Sequence, residues 1–278
     1  MKKDNKKQIA VLLPVYNKDK VEYLNLSVDS ILQQTYRYIK LFIGVDGFVG
    51  EDLKTCLNKY NQHDNVQVIY YEENRGLACV LNDMLKLCFA EGFEYIARMD
   101  ADDISIVDRL EKEMLFLDAH HNIDVVGGLS IVIDEKGLPK GVMSSKPEWP
   151  EDCRKRFAYH NPLSHPAVLF KKSFFDKAGF YRPEYRTNQD TLRWFDGLRN
   201  GVMMANIQEP VIYFRSTSDM LTKRRGGFSK AKKQFSDRLM INKELKYGFK
   251  ANIYAFAIFI MMISPAWIRK IAYRVLKK

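Results

Sequence analysis

Asp100-Ala101-Asp102-Asp103 puts three carboxylates within four positions, directly after the apolar run Tyr95-Ile96-Ala97-Arg98-Met99. Like charges this close repel one another unless a cation lies between them. A set of oxygen donors favours a hard ion, Mg²⁺ or Mn²⁺, which keeps part of its hydration and grips a phosphate-bearing partner. The competing reading is a solvated acidic loop capping a helix that starts near Ile106, since carboxylates are also good first-turn residues.

Delivery of these residues needs a strand before them. Glu94 to Met99 is short, partly β-branched and aromatic, and reads as a buried strand whose end pushes Asp100, Asp102 and Asp103 out at the carboxyl edge of a sheet. Upstream the same plan repeats. Ile9 to Val15 is an apolar run closed by Pro14-Val15-Tyr16-Asn17, followed by a helix with Leu24, Val28, Ile31 and Leu32 on one face. Ile39 to Val45 is a second buried strand ended by Asp46-Gly47, and Asp52 to Tyr60 a polar helix. Val66 to Tyr71 is a third strand, and Glu73-Asn74-Arg75-Gly76-Leu77 opens a helix with Ala78, Leu81, Leu85 and Phe89 on a shared face. Strands alternating with helices imply a parallel sheet covered on both sides. Asn17, Asp46, Asn74 and Asp100 each follow a strand and should gather along one edge.

Beyond Arg109 the pattern is less regular. Strands are expected at 124–134, 166–170 and 211–214, a turn at Glu135-Lys136-Gly137, and helices at 150–159 and 190–198. No internal repeat or low-complexity linker divides the chain.

The chain has 278 residues, a formal charge of +10, 46% hydrophobic and 28% charged content, which describes a globular protein with an anionic partner. The positive excess lies from Lys223 to Lys278. Cys56, Cys79, Cys88 and Cys153 form no C-x-x-C pair, as expected of reduced thiols in the cytoplasm. Lys2 to Lys7 followed by Ile9 to Leu13 is too short and lacks the cleavage site of a signal peptide. Ile253 to Ile263 is almost wholly apolar but is interrupted by Ser264-Pro265 before it reaches the ~20 residues of a spanning helix. Ile268, Ile271, Ala272, Val275 and Leu276 then follow helical spacing, with Arg269, Lys270, Arg274, Lys277 and Lys278 opposite. This suits a helix lying on an anionic membrane surface; the alternative is a helix packed on the core with a solvated basic face. The basic residues do not alternate with aromatics across a sheet face, so no nucleic-acid partner is expected.

Pro14-Val15-Tyr16-Asn17, Asp46, Asn74-x-Gly76-x-Ala78 with Asn82, and Asp100-Ala101-Asp102-Asp103 occur in an order that resembles the GT-A-fold glycosyltransferases of family 2. Asn161-Pro162-Leu163-Ser164-His165-Pro166, Gln189-Asp190 and Arg224-Arg225-Gly226-Gly227 extend the resemblance to about residue 227, and it is nearest to the bacterial capsule, exopolysaccharide and O-antigen enzymes of amylovoran type. The resemblance implies a Rossmann-like, mostly parallel α/β sheet flanked by helices, with a smaller mixed acceptor-side region. It divides the chain into a transferase domain at 1–228 (nucleotide half 1–110, acceptor half 111–228) and a membrane-associating basic tail at 229–278.

The resemblance also implies roles. Pro14, Val15, Tyr16 and Asn17 would line the nucleotide base, and Asp46 would accept from uracil or ribose, or else serve as a turn residue before Gly47. Asn74, Arg75 and Gly76 would lie near the base or diphosphate, with a solvated Arg75 as the alternative. Asp100 would reach the ribose or nucleotide and Ala101 would join the nucleotide-sugar contacts, Asp102 would hold Mn²⁺ or Mg²⁺, and Asp103 would be an accessory ligand or a helix cap. Asp190 would be the base of an inverting transfer, its alternative being a plain N-cap. His165 would contact the acceptor or diphosphate, or be structural, and Arg224 and Arg225 would clamp the diphosphate or form a solvated turn. Two positions depart from the pattern: Gln189 stands where many relatives carry Glu, and Asp46-Gly47-Phe48 lacks a second Asp and a Ser.

The expected activity is transfer of a hexose or N-acetylhexosamine from a UDP-sugar to a polyprenyl-diphosphate-linked glycan. The enzyme would be cytoplasmic, peripheral on the inner face of the plasma membrane. A sugar-nucleotide nucleotidyltransferase should show a Gly-rich phosphate loop after the first strand, which Pro14-Val15-Tyr16-Asn17 is not; a non-catalytic scaffold of the same fold is the other alternative.

Overall fold

The computed structural model describes residues 7–217 and 228–265. Its centre is β1 (Ile9–Val15), an apolar run buried along nearly its whole length. Such a strand must be covered on both faces, and the side chains sort by parity as a pleated strand requires. Ile9, Val11, Leu13 and Val15 join one apolar layer with α1 (Val21–Leu32), α2 (Glu51–Tyr60) and α4 (Arg109–Ala119). Ala10 and Leu12 join the other, with α3 (Leu77–Ala90), α5 (Pro150–Phe157), α6 (Lys172–Ala178) and α7 (Gln189–Arg199).

β1 pairs in parallel with β2 (Ile39–Asp46) and β4 (Tyr95–Arg98), and β2 with β3 (Val66–Tyr71). Register levels the carboxyl ends. Leu12 stands opposite Arg98, and the Met99 amide bonds the Leu12 carbonyl at 3.0 Å, so Asp100 emerges beside Pro14 and Val15. Asp46 stands opposite Tyr71, the last residue of β3. Gly44 admits α3 to the sheet: a Cβ there would lie 2.5 Å from Val80.

The sheet continues through the second half, with β5 (Ile104–Ser105), β6 (Val125–Ile133), β7 (Pro139–Met143), β8 (Val168–Lys171) and β9 (Met204–Arg215). The order is β3-β2-β1-β4-β8-β6-β9-β5, with β7 on β6. It is parallel over the first four strands and mixed beyond, where β8 runs against both β4 and β6. This is the expected α/β architecture with a mixed acceptor-side region.

Helix α4 begins at Arg109, not near Ile106, because Ile104 and Ser105 pair with β9 and the Ile106 amide bonds the Val211 carbonyl. Arg109 is fully buried. It pairs with Glu113 at 3.2 Å and donates to the carbonyls of Arg98, Pro166 and Val168, which ties the end of β4 to β8. Burial pushes Glu113 up to about 7 against the pull of Arg109.

At the C-terminal end, α8 (Phe228–Glu244) and α9 (Phe249–Ile263) form a hairpin with Phe235 and Phe259 rings 5.2 Å apart. Ile241 and Leu245 join the second apolar layer, and Arg238 donates to the Phe157 carbonyl at 2.7 Å. In α9 the small residues Ala251 and Ala255, with Met262, are buried, while Phe249, Ile253, Phe256, Ile260 and Ile263 are exposed at spacings of four and three. The helix stops where Ser264-Pro265 predicts. Among the described residues no helix is long and apolar enough to cross a membrane. The basic stretch expected to follow, 266–278, lies outside the described residues.

Candidate active site

At the carboxyl edge of the sheet, Asp46 holds the loop that follows β3. Its side chain is buried at the end of β2 and accepts from the backbone amides of Arg75 (2.8 Å) and Gly76 (2.9 Å), while Asn74 Nδ2 reaches the Asp46 carbonyl at 3.2 Å. A short aspartate can hold a loop this way because it offers two acceptor oxygens to consecutive N–H groups. Gly76 has φ +89° and ψ 159°, a conformation open essentially to glycine alone. Arg186 covers it, its Nη1 2.9 Å from where a Cβ would stand and 3.3 Å from Asn74 Oδ1. Arg75 points elsewhere: it pairs with Asp83 at 2.5 Å and lies over the Tyr71 ring. The cavity on that side, about 420 Å³, is lined by Tyr70, Tyr71, Glu72, Glu73, Arg75 and Asp83, an acidic surface unsuited to a diphosphate. On β1, Val15 is buried and offers only its main chain, while the Tyr16 amide is held by Asp19 at 2.9 Å and Asn17 is exposed.

The carboxylates sit in a tight turn between β4 and β5. Oxygens of Asp100, Asp102 and Asp103 lie within 4.8 Å of one another, near enough for one ion to reach all three. Arg98, buried in the strand beneath, forms an ion pair with Asp100, and its Nε has no hydrogen-bond partner among the described residues. Ser27 of α1 donates to the Asp100 carbonyl at 2.8 Å, and Ala101 is buried. Asp103 is buried too and accepts the Arg215 amide at 2.8 Å, while Arg215 Nε donates to the Asp102 carbonyl. Asp103 is therefore no helix cap; it locks the turn to β9. Its Oδ2 is buried and has no hydrogen-bond partner among the described residues, and burial, then Asp102 and Asp100, hold its carboxyl above the usual range. Hard oxygen donors around an unsatisfied buried oxygen fit a divalent cation.

Across the sheet edge, Asp190 is the second residue of α7. The N-cap is Asn188, in the left-handed region at φ 67° and bonded to Asp237, so Asp190 does not serve as the plain cap. Its Oδ2 accepts from Asn161 Nδ2 at 2.8 Å, and Thr191 Oγ1 donates to Asn161 Oδ1 at 3.1 Å. The helix N-terminus favours its negative charge. Tyr181 lies in the segment between α6 and α7. Its hydroxyl lies 2.8 Å from His165 Nε2, and its backbone is clamped by Asn82 of α3 through two bonds of 2.8 Å. Burial pushes the Tyr181 phenol up to about 12; Arg193 and Arg98 oppose this, and Asp190 and Asp100 both add to it. One phenol thus lies in the electrostatic reach of both carboxylates. His165 is buried against Tyr181 and Trp194, and burial, then Arg98 and Arg193, hold its imidazole well below the usual histidine range.

The family model of Glycosyl transferase family 2 matches residues 10–179. The chain belongs to this family. It is 30% identical over 217 residues to the amylovoran biosynthesis glycosyltransferase AmsE of Erwinia amylovora, covering 78% of this chain and 79% of that one. It is 27% identical over 260 residues to the UDP-Gal:alpha-D-GlcNAc-diphosphoundecaprenol beta-1,3-galactosyltransferase of Escherichia coli, covering 94% and 90%. Among solved structures, S. aureus TarS 1-349 in complex with UDP-GlcNAc superposes with a TM-score of 0.65 at 20% identity, covering 91% of this chain and 70% of that one.

For a family 2 glycosyltransferase, the sequence-predicted residues divide by where the structure places them. Pro14 to Asn17, Asp46, Asn74, Gly76, Asp100 and Asp102 do share one edge. Ala101 is buried in the acidic turn, Asp190 stands with Asn161 at the start of α7, His165 bonds Tyr181 within a buried aromatic cluster, and Arg75 is turned away to Asp83. Arg224 and Arg225 lie outside the described residues. Sequence reasoning passed over Arg98, Tyr181, Arg186 and Arg215. Arg98 left a signal, a charge inside an apolar strand; the other three depend on contacts more than seventy residues away in the chain.

Proposed function

We propose that the protein is an inverting glycosyltransferase of cell-surface polysaccharide assembly, moving a hexose or N-acetylhexosamine from a UDP-sugar to a polyprenyl-diphosphate-linked glycan. Asp190 takes the proton of the acceptor hydroxyl as that oxygen attacks the anomeric carbon. The bond from that carbon to the diphosphate breaks, and UDP leaves with the electron pair. Asn161 fixes the carboxylate that receives the proton. The Pro14–Asn17 segment and the Asn74–Gly76 loop, set by Asp46, line the nucleoside, and Asp100 faces the ribose. Mn²⁺ or Mg²⁺ held by Asp102, with Asp103 beside it, would supply positive charge to the departing diphosphate.

What supports this reading is the clustered Asp100, Asp102 and Asp103 oxygens in the turn after β4 and the Asn161-bonded Asp190 at the start of α7, both carboxylate groups acting on the Tyr181 phenol. Membrane association from the cytoplasmic side is supported by the exposed apolar stripe of α9 and by the basic residues that follow it in sequence. The test is a donor screen with purified protein, Mn²⁺ and a synthetic polyprenyl-diphosphate sugar. UDP release that depends on both substrates and is abolished by a chelator supports the reading; release indifferent to the acceptor overturns it.

A further inference from the structure

A second cavity, of about 360 Å³, shares no lining residue with the one beside Arg75. It is lined by Ser145, Lys146 and Pro147 from the segment after β7, and by Asp152, Lys155 and Arg156 from α5. Asp152 is taken by Lys155 at 3.1 Å, and among the described residues no carboxylate pairs with Lys146 or Arg156. The lining thus keeps two cations outside any ion pair among the described residues, with Asp190 acting on Lys146 from beyond Asn161. Lys146 Nζ donates to the Asn161 carbonyl at 3.3 Å, and Asn161 in turn holds Asp190, so a single residue separates this amine from the carboxylate. Burial first, then repulsion from Arg156, holds the Lys146 amine down to about 8. Lys146 is half-buried and Arg156 exposed, so an anion entering here would offset the cost of burying the Lys146 charge while meeting the Arg156 guanidinium at the cavity mouth. Next to the cavity, His160 feels the charges of Arg156, Lys146 and Arg238 and lies 3.2 Å from the Tyr254 hydroxyl of α9, the helix whose Phe249 and Ile253 are exposed.

We propose that this cavity receives the diphosphate ester of the acceptor, Lys146 and Arg156 gripping the phosphates while the first sugar reaches Asp190. The proposal rests on the reading of the acceptor as a diphosphate-linked glycan. It assigns that anion to a site distinct from the one that holds UDP. Charge-assisted bonds to phosphate are roughly twice as strong as neutral ones, so removing both cations costs the acceptor's anion most of its hold.

The test compares a farnesyl-diphosphate-linked N-acetylhexosamine with the phosphate-free octyl glycoside of the same sugar, using the full chain. The wild type should favour the diphosphate acceptor in kcat/KM by about tenfold or more, the value of one or two charge-assisted contacts. That ratio should collapse in K146Q/R156Q and recover in K146R/R156K, which keeps both charges. A ratio unmoved by the double variant overturns the proposal. Calorimetry at saturating UDP supplies the second arm. The farnesyl-linked sugar should bind the wild type and not K146Q/R156Q, and inorganic pyrophosphate should bind more weakly than the ester. Equal binding by both proteins overturns the site, and pyrophosphate binding as tight as the ester assigns the cavity to a free diphosphate instead. Should neither acceptor be glycosylated, the transferase reading fails while calorimetry still decides the cavity.

Discussion

Asn82 ties α3 to the segment before α7, and Asn82→Ala tests that tie. The side chain donates to the Tyr181 carbonyl and accepts from the Tyr181 amide, each at 2.8 Å, across 99 residues of chain. Alanine leaves both backbone groups without partners beside the buried Tyr181 ring. At about 1–3 kcal/mol for each unsatisfied group, the loss is about 2–6 kcal/mol. Urea unfolding should show it as a lowered midpoint at unchanged slope, and melting as a fall of about 2–4 °C per kcal/mol. Asn82→Asp keeps the acceptor but turns a second oxygen toward the Tyr181 carbonyl, so it should recover less than half of the loss. A change below about 0.5 kcal/mol for Asn82→Ala, the scale of an ordinary surface substitution, would refute the tie.

Other expectations follow from the site. Gly76→Ala forces a side chain into a conformation costing about 1–3 kcal/mol and against Arg186, so UDP affinity should fall by about tenfold in a titration while the fold persists. Arg75→Ala removes a pair that is 41% exposed on the arginine side, so stability should move by at most about 1 kcal/mol and donor KM by less than about threefold. Lys146 is protonated below about 8, with burial, Arg156 and Asp190 acting on it and Cys153 staying neutral beside it. KM for a diphosphate-bearing acceptor should therefore rise by about tenfold between pH 7 and 9, following the loss of the ammonium form, and a flat profile would count against a cationic grip.

The first half was legible because its strands are central and parallel. β1, β2 and β4 are buried on both faces and so read as continuous apolar runs, and register then fixes which residues follow them at one edge. The second half obeys other rules. β7 is exposed along its whole length and β5 is two residues long, so neither carries a periodic signal. β9 begins seven residues before the expected 211–214 segment, because Met204 to Pro210 gain their strand character from pairing with β6 rather than from their own pattern. At the site, residue types were legible and their attachments were not. Asp102 and Asp103 are neighbours of one chemistry, yet the Arg215 amide pulls Asp103 under the surface. Arg75 sits in the right loop, but Asp83 two helical turns away on α3 turns its guanidinium aside.

The central claim is that Asp190 accepts the proton in a transfer that inverts the sugar. Asp190→Asn preserves the shape and the Asn161 contact but cannot take the proton. With UDP-sugar, Mn²⁺ and the lipid-linked acceptor, the wild type should form a product whose anomeric configuration, read by NMR, is opposite to that of the donor. The variant should bind UDP with unchanged affinity and lose about 10²-fold or more in turnover. A variant that turns over within a few-fold of the wild type, or a product that retains the donor configuration, would contradict the account.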